Sequence, residues 1–181
     1  METKRETYRD LYEWVGALVW AVTAVVLVFT FAVRGQGVSG GSMRNTLQDS
    51  DRMLVVNRWL CGPCQPGDIV IFSRPDFDDG KPIVKRVIAT AGQTVDIDFD
   101  TGVVFVDGKA LDEPYTREPT WREEGLRFPL TVPEGCLFVM GDNRNGSTDS
   151  RYTYVGMIDE RYIVGRVLLR ILPIREFGVV S

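Results

Sequence analysis

Nineteen consecutive residues without a charge, positions 15–33 (VGALVWAVTAVVLVFTFAV), set the first limit on how this chain can fold. The run is apolar on every face, so a helix built from it has no polar side to turn toward water. At a rise of about 1.5 Å per residue it nearly spans a hydrocarbon layer of roughly 30 Å. Glu13 and Arg34 bound it, and the hydroxyls of Thr23 and Thr30 can bond back to the helix backbone. A buried helix of a soluble core is disfavoured by the all-round apolarity and the flanking charges. The apolar region of a cleaved leader covers only about 7 to 15 residues and ends at an Ala-x-Ala site, which does not follow here. The run is therefore expected to stay attached as a transmembrane anchor, behind a short N-terminal arm of residues 1–14 and ahead of a domain of residues 34–181. Tyr12 and Trp14 fit an interfacial aromatic belt, and Trp20 lies deep enough to face lipid.

Lys4, Arg5 and Arg9 precede the run, and Arg34 and Arg44 follow it. Counted by the positive-inside rule, they place the N-terminus in the cytoplasm and residues 34–181 outside, in a single-pass arrangement at the cell membrane. Setting aside the three basic and four acidic residues of the first 33 leaves 18 basic against 21 acidic, a net charge of -3. A mildly acidic domain argues against nucleic acid as its partner.

Beyond the anchor the hydrophobic pattern shortens to Val- and Ile-rich runs between turn signals. RMLVV, DIVIF, IVKRVIA, TVDIDF, VVFV, CLFVM and IVGRVLLRIL read as strands, and MIDERY as a short helical turn. Pro66-Gly67, Asp79-Gly80, Ala91-Gly92, Thr101-Gly102, Asp107-Gly108 and the Gly135 turn separate them. VVFVDGKAL reads as a hairpin, since Asp-Gly tolerates the positive backbone angles of a tight turn. The expected fold is all-β, a coiled or barrel-like sheet with one N-terminal transmembrane α-helix.

SGGSMRNTL, residues 39–47, places a serine among glycines in a chain that has no histidine. Every Ser-His-Asp arrangement is thereby excluded, and so is every histidine metal site. If Ser42 is a nucleophile, another group must take its proton. Carboxylates are too acidic to do so well, which leaves a lysine made neutral by burial. Lys4 precedes the anchor, Lys81 lies in the polar stretch DDGKP, and Lys109 sits in the hairpin turn. Lys85, in PIVKRVIA, is enclosed by apolar strand residues. Alternation puts Ile83, Lys85 and Val87 on one face and Val84, Arg86 and Ile88 on the other, so one cation points inward or the strand is covered on both faces. From this strand alone, a solvated lysine guarding a sheet edge is the favoured reading.

SGGSMRNTL, GDIVIF, KRVIATAG and GDNRNGSTDSR occur in this order after the anchor. The series resembles the bacterial type I signal peptidases, membrane-bound serine endopeptidases with a Ser/Lys dyad, and the likeness runs from the anchor to about Arg166. The resemblance implies an acyl-enzyme mechanism with Ser42 as nucleophile and Lys85 as general base, cutting signal peptides from exported preproteins after an Ala-x-Ala-like site. It implies that Met43 lies by the site and the membrane-facing surface, that Ser147 hydrogen-bonds and orients the lysine, and that Asp149 and Arg151 form a supporting ion pair. Gly40 stands where some members have a serine that helps bind the oxyanion, which leaves that role to the Ser42 backbone N–H. Asn45 replaces the family's proline and is expected to loosen the backbone there. The implied partners are preproteins and membrane lipid; a monomer without cofactor or metal is expected.

CGPC, residues 61–64, has the spacing of a thioredoxin redox centre, but Pro66, Gly67 and a strand follow where that centre needs a helix. A Cys61–Cys64 disulfide closing a turn is the expectation, and Cys136 reads as a buried small hydrophobe. Residues 119–130 (PTWREEGLRFPL) read as a solvated loop or a membrane-touching rim. Two other functions share parts of the pattern. Self-cleaving repressors use the same chemistry but would need a DNA-binding domain in place of the anchor. A tethered peptide-binding domain would leave Ser42 in a mere turn.

Overall fold

The computed structural model describes residues 2–180, with side chains from Arg9 onward, so Lys4 and Arg5, which entered the orientation count, lie outside the described side chains. The chain divides into two compact units, Met1–Arg34 and Gly35–Ser181. In the first, helix α1 (Glu2–Leu27) continues into one π-helical turn (Val28–Ala32). The residues expected as an arm are helical from Glu2 because neither proline nor glycine interrupts them before Gly16. The stretch Arg9–Ala32, 24 residues, is long and apolar enough to cross a membrane. Thr23 Oγ1 donates to the Val19 carbonyl at 2.8 Å, so this polar group is satisfied within the helix.

The chain beyond the helix is built from strands, the first of which begins in the last two residues of the first unit: β1 (Val33–Gly37), β2 (Arg52–Asn57), β3 (Ile69–Phe72), β4 (Ile83–Thr90), β5 (Thr94–Asp98), β6 (Val103–Val106), β7 (Lys109–Ala110), β8 (Leu130–Thr131), β9 (Cys136–Met140), β10 (Ile158–Asp159), β11 (Ile163–Leu172) and β12 (Gly178–Val179). The larger sheet runs β1-β2-β11-β3-β4-β9-β10, with β12 added on β11, and the smaller runs β7-β6-β5-β8. All seven expected runs are strands. Register shifts interrupt the β11–β2, β11–β3 and β4–β9 ladders. Such bulges raise the local twist, and the large sheet curls into an open half-barrel. Asp107 (φ 52°) and Gly108 (φ 73°) make the expected tight turn between β6 and β7. MIDERY is split: Ile158–Asp159 pairs with β9 as β10, and a 3₁₀ turn covers Glu160–Tyr162.

Strand β4 lies between β3 and β9 and is covered on both faces. Val84 joins a cluster with Met43, Leu47 and Met53; Val87 packs with Phe72, Leu137 and Val139; Ile88 packs with Val95, Val104 and Phe138. The edge-strand reading of Lys85 is therefore wrong. Phe128 also packs on the third of these clusters, while Trp121 in the same 119–130 stretch is exposed.

The expected Cys61–Cys64 disulfide is not formed. A single helical turn, α2 (Arg58–Cys61), ends on the first cysteine of the CGPC stretch and is capped by Asn57, whose side chain accepts from Trp59 N. Cys61 closes this turn with its thiol on the Arg58 carbonyl at 3.4 Å, whereas Cys64 packs against the Phe72 cluster. Both are free thiols, as is the half-buried Cys136.

Candidate active site

Ser42 stands at the head of a turn held by its own backbone: Arg44 N–H donates to Gly41 O at 3.2 Å, and Thr46 and Leu47 N–H to Met43 O at 3.0 and 2.8 Å. Met43 and Leu47 are fully buried and pin the turn to the core. Half-buried Ser42 is thereby presented at the wall of a cleft of about 610 Å³, lined among others by Val38, Phe77, Ile83, Val84 and Tyr154.

Lys85 reaches this serine from β4. Its Nζ lies 2.7 Å from Ser42 Oγ and 3.2 Å from the Val84 carbonyl oxygen, and the residue is 2% exposed. Burial lowers its pKa from the ordinary 10.5 to about 8; the Asp149 charge opposes the fall and Arg151 assists it. A lysine titrating there is substantially neutral in mildly alkaline solution, with a lone pair that can accept the proton of a hydroxyl in contact with it.

The 141–151 loop closes the site from the other side. A Cβ on Gly141 would lie 2.2 Å from Ser147 Oγ and 2.4 Å from Ser42 O, so only glycine lets this loop lie against the serine's own backbone. Asn143 N–H donates to Ser42 O, and Asn143 Nδ2 to Gly41 O, both at 2.9 Å. Asp149 accepts from Gly141 N–H at 3.0 Å and pairs with Arg151, Nε to Oδ1 at 2.8 Å and Nη2 to Oδ2 at 3.0 Å, with both side chains fully buried. The supporting ion pair is therefore present, and it fixes the loop at Gly141.

Of four further positions, Ser147 and Asn45 depart from expectation, while Gly40 and Met43 do not. Ser147 is buried beside Gly141, but its Oγ has no hydrogen-bond partner, so the expected bond to Lys85 is not made; the lysine instead contacts Ser42 and its own strand. Gly40 offers no donor to the site, because its N–H is held by Asp49 Oδ1 at 3.0 Å; its φ of 94° is one that a serine would adopt only with strain. Met43 lines the cleft beside Ser42, as expected, with its side chain 1% exposed and packed in the core. Asn45 does not loosen the turn. It has φ 103°, which proline cannot adopt, and its Nδ2 donates to Tyr115 O at 2.9 Å.

Further buried polar groups that the sequence does not single out surround the site. Arg86 and Asp142 form a buried bidentate pair, and Asp142 Oδ2 also accepts from Thr46 Oγ1 at 2.5 Å. Tyr115 lies under the Arg86 guanidinium, 3.8 Å from cation to ring centre. Arg144 binds Glu113 through two hydrogen bonds of 2.8 and 2.6 Å. Each arginine or aspartate lies inside or beside a motif already quoted, so position in the block was the available signal. Among the described residues no group of three His, Cys, Asp or Glu is placed to hold a metal ion.

A serine hydroxyl held against a buried amine, at the wall of a cleft in a curled β-sheet, is the arrangement of a serine hydrolase. Over residues 11–172 the chain matches the signal peptidase family, peptidase S26, and it belongs to that family of serine peptidases. It is 35% identical over 179 residues to the probable signal peptidase I-1 of Synechocystis sp., covering 94% of this chain and 87% of that one. It is 37% identical over 178 residues to the signal peptidase I of Bacillus licheniformis, covering 92% and 91%. A crystal structure of a signal peptidase I from Enterococcus faecalis V583 is 32% identical, covers 57% of this chain and 96% of that one, and superposes with a TM-score of 0.47.

Proposed function

We propose that the chain is a membrane-bound endopeptidase that removes signal peptides from exported preproteins after an Ala-x-Ala-like site, through an acyl-enzyme made by Ser42 with Lys85 as general base. The 2.7 Å contact between Lys85 Nζ and Ser42 Oγ carries this reading, because an amine so placed and so buried has a basic lone pair directed at the nucleophile. Neutral Lys85 takes the Ser42 proton as Oγ attacks the scissile carbonyl carbon. The C–N bond then breaks, the Lys85 ammonium protonates the leaving amine, and an ester to Ser42 remains. Water attacks the ester with Lys85 again as base, releasing the signal peptide as a carboxylate.

The charge on the carbonyl oxygen during attack needs a donor. The Ser42 N–H is suited to this, since among the described residues nothing accepts it. The Ser147 hydroxyl makes no bond to Lys85 in the resting site; buried and unpartnered, it is free to rotate onto the amine once Lys85 is protonated and to accept from the ammonium. Apolar walls from Val38, Ile83 and Val84 suit small side chains beside the cut. The apolar helix anchors the enzyme in the membrane once, as residues 15–33 between a cytoplasmic arm and an extracytoplasmic domain of residues 34–181. Confinement to one membrane surface raises the effective concentration of enzyme and precursor for each other. The enzyme acts as a monomer, since serine, lysine and cleft all belong to one chain.

The test is incubation of detergent-solubilised protein with a precursor carrying an Ala-x-Ala site, reading the new N-terminus by mass spectrometry. A cut directly after the motif that vanishes in Ser42→Ala is expected. Folded wild type that binds the precursor without cutting it would make this a peptide-binding domain instead.

A further inference from the structure

Building on that reading, we propose that Asn143 is a positioning residue for the oxyanion donor: its carboxamide holds the Gly41–Ser42 peptide unit so that the Ser42 N–H faces the cleft. A trans peptide is planar, with its C=O and N–H pointing in opposite directions. Asn143 Nδ2 donates to Gly41 O at 2.9 Å, which leaves the N–H of the same unit on the side away from Asn143. Gly41 and Ser42 line the cleft, and Asn143 does not. Among the described residues no group accepts the Ser42 N–H, so it is free for an oxygen of the substrate.

The peptide needs such a hold because of what precedes it. Gly40, at φ 94° with nothing within 4 Å of where its Cβ would be, and Gly41 restrain backbone rotation weakly. A flip of the Gly41–Ser42 unit would turn a carbonyl toward the developing negative charge. Asn143 opposes this at two successive carbonyls, with its side chain on Gly41 O and its own N–H on Ser42 O. The second bond belongs to the backbone and survives a side-chain substitution. Gly41 O also takes the Arg44 N–H, at a longer 3.2 Å, so replacing the carboxamide removes the shorter of two holds on the donor peptide while the turn stays attached to the loop. Lys85 is not among the groups Asn143 bonds, so the base should be untouched.

The test is steady-state cleavage of an Ala-x-Ala peptide by wild type, Asn143→Ala, Asn143→Asp and Lys85→Ala, together with inhibition by a peptide aldehyde, whose adduct with Ser42 carries the oxyanion. Asn143→Asp keeps the shape and loses the donor, so it reports on the bond even where the smaller alanine perturbs the loop. In both Asn143 variants kcat is expected to fall about 10- to 100-fold with KM within about twofold, and aldehyde inhibition to weaken in proportion. In Asn143→Ala, which adds no charge, the apparent pKa of the pH–rate profile should not move. Unchanged kcat in the two variants of an active wild type would overturn this inference alone, as would a shifted pKa in Asn143→Ala, which would mean that Asn143 acts through Lys85. A wild type that does not cleave would overturn the underlying function as well.

Discussion

Arg86 and Asp142 meet face to face in the interior, Nε to Oδ1 at 2.9 Å and Nη2 to Oδ2 at 2.8 Å, with side chains 2% and 0% exposed. Arg86 follows the site lysine on β4, Asp142 opens the 141–151 loop, and Thr46 of the serine turn donates to the same carboxylate. One ion pair thus ties together the three segments that make the site. Removing one partner strands the other charge in a dry interior. Asp142→Ala is therefore expected to destabilise the fold by about 3–5 kcal/mol, seen as a loss of several degrees in Tm. A Tm within a degree of wild type would contradict the clamp.

Ser147 separates stability from activity. Its buried hydroxyl has no partner, so Ser147→Ala removes a polar group that folding left unsatisfied. Stability should hold or rise slightly in thermal melts. Cleavage should nevertheless fall at least about tenfold if the hydroxyl steadies the charged lysine. A variant as active as wild type would leave Ser147 without a role in the reaction.

Burial of Lys85 also makes stability depend on pH. Its pKa falls from 10.5 in the unfolded chain to about 8 in the folded one. Between these values the unfolded state binds more protons, so the contribution of this residue to stability improves as pH rises from about 8 to about 10.5. Below pH 8 the cost is fully present, on the order of 3 kcal/mol for a shift of this size. Lys85→Met should therefore raise the unfolding free energy at pH 7, with the gain shrinking toward pH 10.5. Denaturant titrations at the two pH values check the sign, and an equal gain at both would contradict a neutral buried amine.

Much of this architecture is legible before any coordinates. Val- and Ile-rich runs mark the strands from β2 to β11 that bury apolar side chains, because alternation or continuous apolarity is what a packed sheet face requires. Strand β1 (VRGQG) and the two-residue strands β8 and β12 carry no such period and form only by pairing with distant partners. The site was half legible. Ser42 and Lys85 follow from inventory and apolar context, together with the motif series. Arg86 did not, since a cation next to Lys85 looks like the solvated one of the two until Asp142, 56 residues away, supplies its counter-charge. Asn45 shows the same limit, because a turn at φ 103° cannot be read from one substituted proline.

The CGPC stretch gives a further test. Cys64 packs against the core, and burial pushes its thiol up to about 11, with the nearby Cys61 and Asp68 adding to the rise. Alkylation of Cys64 in the folded protein, followed by peptide mapping, should stay slow at pH 8 and accelerate toward pH 11. Rapid labelling at pH 8 would contradict the burial. Labelling of both cysteines that requires a reductant would show a disulfide in place of the free thiols.

The most direct test of the central claim is kcat/KM for an Ala-x-Ala peptide measured from pH 6 to 10 with wild type and Lys85→Ala, because this ratio reports the ionisation of the free enzyme. The dyad predicts a rise controlled by one ionisation near pH 8 and loss of cleavage in the variant. A profile that is flat over this range, or one that Lys85→Ala reproduces, would show that some other group takes the serine proton.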